Sequence, residues 1–326
     1  MIFFSKDSLP DSGNYDRCPV PREDHWLFDR PRYPSQEQYR PITNLKHPPS
    51  IFFIVTASPS ARPQLSLDPD RYSHEFCFQT DTVKKTFPHD PSEIKNNGTH
   101  RQSQKPVRAL LFDMDNTLFD LVGAQMTACA AVSRSLGVNE EDELFPYFLR
   151  PVHGFESHEN ILDFMRDRGL LGTGSYDTAR RVYEQEKICA ITPYPGVPET
   201  LSLIRNQGLP MGIITDAHSR DAVRRLEKAG LLPFFCCMVT YDLVQVKKPA
   251  YQPFFVALDM LKSAADEVVL VGDSPRRDIE PGKSLGMRTV YARYGDRFSS
   301  DRPPVPADYI IDAMTELPEI LSSLPH

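Results

Sequence analysis

The sequence predicts an α/β protein, a doubly wound parallel sheet with a small helical cap domain. Three observations predict it. From Tyr194 onward, short apolar runs alternate with helix-length amphipathic stretches, the pattern of strands joined by helical crossovers. The strongest runs each end on a polar residue (Asp113, Thr215 and Asp273), as strands do where they reach a ligand-binding edge. Between the first run and Tyr194, residues 121–193 carry helical pattern and no strand pattern. That block is too long for a simple crossover, so it is expected to lie over the strand end as a cap.

In chain order, residues 1–106 stand apart. Residues 1–104 hold 13 of the 30 prolines and two of the 16 glycines, and their apolar residues follow neither a helical nor a strand period. They are expected to be a disordered or spurious extension. No methionine lies between Met1 and Met114, and Val107 immediately precedes the first strand, which makes Val107 an alternative start. Ala109–Phe112 is the first strand. Ala124–Leu136, Ser157–Arg168 and Tyr176–Cys189 are the helices of the cap, the second opening on Ser157 and closing at Gly169. A helix follows Pro195-Gly196 and ends near Gly208. Then come strand Met211–Thr215, helix Arg220–Ala229, strand Cys236–Thr240, helix Pro253–Lys262, strand Glu267–Val271 and helix Arg276–Leu285. Strands Met287–Tyr291 and Tyr309–Ile311 and a terminal helix, Pro318–Leu324, close the chain. The core is therefore expected over 107–120 and 194–326, with the cap at 121–193.

Composition excludes several functions. The net charge is −7, and residues 107–326 carry 23 basic against 31 acidic side chains, so a nonspecific nucleic-acid surface is not expected. The apolar run Ile51–Ala57 is far too short to span a bilayer, and Met1-Ile2-Phe3-Phe4 runs straight into charged residues instead of a signal peptide. None of the six cysteines forms a C-x-x-C pair, which argues against zinc, and Cys236 and Cys237 read as core thiols. A reducing, cytoplasmic setting is expected.

Four stretches carry chemistry. Asp113-x-Asp115-x-Thr117 follows the first strand. Residues two apart in extended chain share a side, so two carboxylates there stay ionised only with a cation or several donors between them. Ile213-Ile214-Thr215-Asp216 places a hydroxyl at a second strand end. Lys247-Lys248-Pro249 precedes a helix, and Val269-Leu270-Val271-Gly272-Asp273 is followed by Asp278. Each is weak alone, but all fall at strand ends of one α/β pattern and their chemistry is complementary.

This order of motifs resembles the haloacid dehalogenase superfamily of phosphohydrolases, in the phosphoglycolate-phosphatase-like branch with a helical cap between its first two motifs. The resemblance covers roughly residues 107–325. It implies a phosphatase in which Asp113 attacks phosphorus and Asp115 acts as acid and base. It implies Mg²⁺ held by Asp113, Asp273 and the backbone carbonyl of Asp115. Thr215 and Lys248 would bind the phosphoryl oxygens, and Asp278 would orient Lys248 or a metal-bound water. The presence of Asp115 favours phosphoryl transfer over dehalogenation, because a halide leaving group needs no proton. Two positions depart from the family pattern: Asn116 stands where Gly is more frequent, and Asp216 where Asn commonly follows the Ser/Thr. An ionised acid at 216 has no amide proton to offer a phosphate. The expected partner is a small phosphorylated metabolite such as phosphoglycolate, a sugar phosphate or a nucleotide monophosphate. The rivals are a phosphomutase of the same fold and a non-catalytic phospholigand-binding protein. Arg150, His153, Glu156 and His158 cluster in the cap but read as ordinary solvated residues, outside the site.

Overall fold

The structure is a computed structural model that describes residues 105–138, 141–298 and 306–325. The reading of residues 1–106 therefore lies outside the described residues, apart from Lys105 and Pro106.

The central strand β1 (Ala109–Phe112) is fully buried, and its side chains alternate between the two faces of the sheet. Leu110 and Phe112 join one apolar cluster, Ala109 and Leu111 the other. A strand buried on both faces reads as an unbroken apolar run, which is why this one was legible. Burying each of these large side chains is worth about 1.5–3 kcal/mol. β2 (Met211–Ile214), β3 (Cys237–Val239), β4 (Val268–Gly272), β5 (Arg288–Ala292) and β6 (Tyr309–Ile311) complete one sheet in the order β3-β2-β1-β4-β5-β6. Every pair is parallel. Leu110 aligns with Met211 on one side and Val269 on the other. Of the cysteine pair, Cys237 is buried in β3 and Cys236 is half-buried, its thiol donating to the Met211 carbonyl at 3.3 Å.

The helices are α1 (Leu121–Ser135), α2 (Phe145–Phe148), α3 (Glu159–Asp167), α4 (Ser175–Ala190), α5 (Val197–Asn206), α6 (Ser219–Lys228), α7 (Tyr241–Val244), α8 (Gln252–Leu261), α9 (Glu280–Ser284) and α10 (Leu317–Ser323). α5, α6 and α10 cover one face of the sheet through Leu201, Leu226 and Leu321; α8 covers the other through Phe254, Ala257 and Leu261. The sheet is thus doubly wound. α1 to α4 have a separate apolar cluster of their own, with Val132, Phe148, Phe164 and Tyr183 at its centre. The Phe148 and Tyr183 rings stack there, 5.1 Å apart. None of the described helices is long and apolar enough to cross a membrane.

Two element readings shift. The helix expected from Ser157 starts at Glu159; Ser157 is not its cap but accepts the Glu159 N–H at 3.3 Å from outside the helix. The helix expected over Arg276–Leu285 is split. Its first part, Pro275–Ile279, is a π turn in which the Ile279 N–H reaches the Ser274 carbonyl at 3.2 Å, and α9 follows. Pro281 has no N–H for the carbonyl four residues earlier, so the α pattern cannot run through continuously. The two ends of the described unit meet, with the Val107 N–H donating to the Pro325 carbonyl at 2.9 Å.

Candidate active site

The strand order reverses direction at β1, which has β2 on one side and β4 on the other. The carboxyl end of such a strand opens into a crevice where ligands bind in α/β sheets. Asp113 is the first residue past β1 and stays in register, its N–H donating to the Val271 carbonyl at 2.9 Å. The chain then turns. Asn116 takes φ 63°, a conformation that Asn and Gly enter at low cost. Its side-chain oxygen accepts the Val122 N–H at 3.1 Å, which caps the start of α1. This accounts for an amide at a position where the resemblance led one to expect Gly. Thr117 ties the two central loops together. Its hydroxyl accepts the Asp273 N–H at 3.0 Å and lies 3.2 Å from Asp113 Oδ2. The loop after β5 presses in from the far side: Tyr294 donates to the Thr117 carbonyl at 2.6 Å. A Cβ on Gly295 would stand 1.7 Å from the Asn116 carbonyl oxygen, so only glycine fits there.

Lys248 is buried to 4% exposure, with Nζ 2.5 Å from Asp113 Oδ1 and 2.6 Å from Asp278 Oδ1. The second Asp278 oxygen accepts the Ser274 N–H at 3.0 Å. Thr215 lies past the end of β2, and its hydroxyl oxygen accepts the Ala217 N–H at 3.2 Å. Asp216 takes a role suited to an acceptor-only side chain. One oxygen accepts the Lys248 backbone N–H at 2.9 Å, and the other faces the Arg277 guanidinium at 3.5 Å. It therefore joins the lysine loop to the loop after β4. Arg277, a second cation over the site, was missed by sequence reasoning although it lies inside the Gly272–Asp278 stretch.

Asp113, Asp273 and Asp278 each place a carboxylate oxygen within 4.8 Å of the other two. With Asp216 they make four carboxylates against the cations Lys248 and Arg277. Burial pushes the Asp113 carboxyl up, but the charges of Lys248 and Arg277 and the Lys248 hydrogen bond outweigh it and hold it below the usual range. Asp273 goes the other way: burial and the negative charges of Asp113 and Asp278 push it well up. Burial alone would lower the Lys248 ammonium, but Asp113 and Asp278 hold it charged. An excess of buried carboxylate oxygens over cations is a donor set that fits a hard divalent ion.

The Asp115 side chain does not share Lys248 with Asp113. The Asp115 carboxylate meets a different cation. Its Oδ2 accepts from Arg225 Nη1 at 2.7 Å, and its buried Oδ1 has no hydrogen-bond partner among the described residues. Burial pushes Asp115 up, Arg225 draws it back, and Glu156 and Asp113 push it up again, to about 6. The other amino group of Arg225 pairs with Glu156. Glu156 thus reaches the edge of the site, and its reading as a solvated loop residue is corrected. Its three neighbours remain apart: Arg150 and His153 pair with Asp163 at 2.9 and 3.0 Å, and His158 meets Glu184 at 2.7 Å.

Residues 110–292, more than half of the chain, match the model of the haloacid dehalogenase-like hydrolase family. The chain belongs to that family. Curated relatives that it matches are named as phosphatases. A glyceraldehyde 3-phosphate phosphatase of Methanocaldococcus jannaschii is 28% identical over 238 residues, covering 67% of this chain and 98% of that protein. A phosphoglycolate phosphatase of Pectobacterium atrosepticum is 29% identical over 223 residues, covering 65% and 91%. Among solved structures, a Bacillus subtilis protein described as a HAD hydrolase bound to magnesium superposes with a TM-score of 0.55. It shares 20% identity and covers 67% of this chain and all of that one, a likeness of fold.

Proposed function

We propose that this haloacid dehalogenase-like hydrolase is a Mg²⁺-dependent phosphatase that cleaves phosphate monoesters of small metabolites through a phosphoryl group carried on Asp113. The observation that carries the reading is the contrast between two aspartates one residue apart. Asp113 is held ionised against Lys248, whereas Asp115 sits away from that ammonium, shifted up to about 6. One is suited to attack and the other to hold and pass a proton.

Asp113 attacks phosphorus through a carboxylate oxygen. As the bond from phosphorus to the ester oxygen breaks, its electron pair stays on that oxygen, which takes the Asp115 proton and leaves as the alcohol. Water then attacks phosphorus and gives a proton to the Asp115 carboxylate. The bond from phosphorus to Asp113 breaks, its electrons return to the carboxylate, and inorganic phosphate is freed. Lys248 neutralises charge on the phosphoryl oxygens and Thr215 donates a hydrogen bond to one of them. Asp113, Asp273 and the Asp115 backbone carbonyl would hold the metal. Both Asp278 oxygens are already engaged by Lys248 and Ser274, which suits an orienting role. When bound, the ion adds charge compensation for a dianionic substrate.

α1 to α4, with their own apolar cluster, act in this reading as a cap over residues 113–117, the segment 121–193 supplying substrate selection. The substrate class follows the named relatives: a small phosphorylated acid or aldehyde.

The test is phosphate release from p-nitrophenyl phosphate with Mg²⁺ present. The wild-type chain should release inorganic phosphate, which a mutase would not, and Asp113→Asn should abolish release. Full activity in Asp113→Asn would overturn the mechanism.

A further inference from the structure

We propose that Arg225 is the positioning residue for Asp115, and that Glu156, from the helical segment, fixes Arg225 in that task. The proposal rests on the phosphatase reading above.

Arg225 is an anomaly within its own helix. α6 turns Ala222 and Leu226 into the core, and Arg225 is buried with them at 1% exposure. A guanidinium taken out of water costs several kcal/mol unless charged partners meet it with good geometry. Arg225 has two such partners, and they come from different parts of the fold. One amino group holds Asp115 Oδ2 at 2.7 Å, in the loop after β1; the other holds Glu156, between α2 and α3. The planar fork can bridge two carboxylates in one fixed arrangement.

The consequence falls on the other Asp115 oxygen. With Oδ2 pinned, the carboxylate cannot rotate freely, and Oδ1 remains buried without a partner. Oδ1 is the atom left to meet the ester oxygen and later the water. A proton moves efficiently only across a heavy-atom distance of about 2.6–3.2 Å, so the orientation of this carboxylate sets the rate of both half-reactions.

Glu156 is anchored in turn. Lys187, buried in α4, lies 3.5 Å from Glu156 and 3.0 Å from Glu184, and Glu184 meets His158. Alternating charges thus run from Asp115 into the helical segment: Arg225, Glu156, Lys187, Glu184. The nearby backbone is held as well, Gln125 donating to the Phe155 carbonyl at 2.9 Å. Asp115 is therefore oriented only while residues 155 and 156 stand against the core, which ties the proton step to the seating of the helical segment.

The experiment separates the proton step from the rest by choice of leaving group. p-Nitrophenolate departs without a proton, whereas an alkoxide needs one. Wild type, Arg225→Met, Arg225→Lys and Glu156→Gln are compared as full-length chains with Mg²⁺. The pre-steady-state burst of p-nitrophenol is set against the single-turnover rate with the alkyl phosphate that the wild type cleaves fastest, among phosphoglycolate and glyceraldehyde 3-phosphate. Arg225→Met should slow the alkyl reaction roughly 100-fold and leave the aryl burst within about threefold. Glu156→Gln should do the same at about tenfold. Arg225→Lys should not restore the rate, because an ammonium cannot bridge both carboxylates. An equal fall with both substrates, no fall with either, or full rescue by lysine would overturn the proposal. If Arg225→Met does not fold, Glu156→Gln decides, since Glu156 lies at the edge of the site. A wild type that cleaves neither ester overturns the phosphatase reading itself.

Discussion

Replacing Lys248 with Met probes how the catalytic centre is held together. The methionine keeps most of the volume and removes the charge. Lys248 Nζ is shared by Asp113 at 2.5 Å and Asp278 at 2.6 Å, and all three side chains are buried. Breaking one partner out of a buried ion pair costs about 3–5 kcal/mol, because the remaining charge is left uncompensated. With a urea dependence of about 3 kcal/mol per molar, the unfolding midpoint should fall by about 1–1.7 M. The measurement is urea denaturation followed by circular dichroism, in EDTA so that no metal takes the place of the ammonium. Adding Asp278→Asn removes one of the two stranded charges. The double variant should therefore recover about 1–3 kcal/mol relative to the sum of the single effects. A Lys248→Met midpoint close to wild type, or strictly additive single variants, would refute the view that this lysine is held by both carboxylates.

Three further outcomes are expected. Gly295→Ala puts a methyl group into the Asn116 carbonyl, so the nucleophile loop must move; kcat should fall at least tenfold with little change in the far-ultraviolet spectrum. Burial pushes Glu184 up, but the His158 hydrogen bond and the Lys187 charge hold it down at about 2, below its usual value near 4.5. Its contribution is therefore present above about pH 4.5 and lost as pH falls toward 2. Glu184→Gln should lower stability at neutral pH by at most about 3 kcal/mol and flatten the acid limb of a stability–pH curve. Mg²⁺ at 100 times its dissociation constant should stabilise the wild type by about 2.7 kcal/mol, and chelation should reverse this. Asp273→Asn should lose most of the effect in a thermal-shift assay.

The order of strands and helices was legible because both faces of the sheet are covered. Runs such as Val268–Val271 are apolar throughout, and each stops where the chain meets the crevice. Asp113, Thr215 and Asp273 stood out because each closes such an apolar run, whereas Lys248, which precedes a helix, stood out only in combination with them. What was not legible depends on pairs far apart in the chain. Arg225 and Glu156 are 69 residues apart, and nothing in either neighbourhood points to the other. One local signal was present: Arg225 falls on the apolar stripe of α6, where a cation needs a buried partner. The break in the helix after Ser274 did have a local signal, Pro281, which the expected helix over Arg276–Leu285 ran through. The part played by Asp216 depends on where the lysine loop lands, which local sequence does not determine.

The hydrogen bond between Val107 and Pro325 has a practical consequence. It places Val107 and Pro325 together at the amino end of β1, a strand's length of about 13 Å from Asp113 on the opposite edge of the sheet. A fluorescent protein or surface tether spliced directly before residue 107 or after residue 325 would therefore hang from the back of the enzyme. The crevice would face outward, free to receive substrate. Because Val107 and Pro325 already touch, a version trimmed to residues 107–325 could be closed by a short linker and reopened elsewhere as a circular permutant without stretching the sheet.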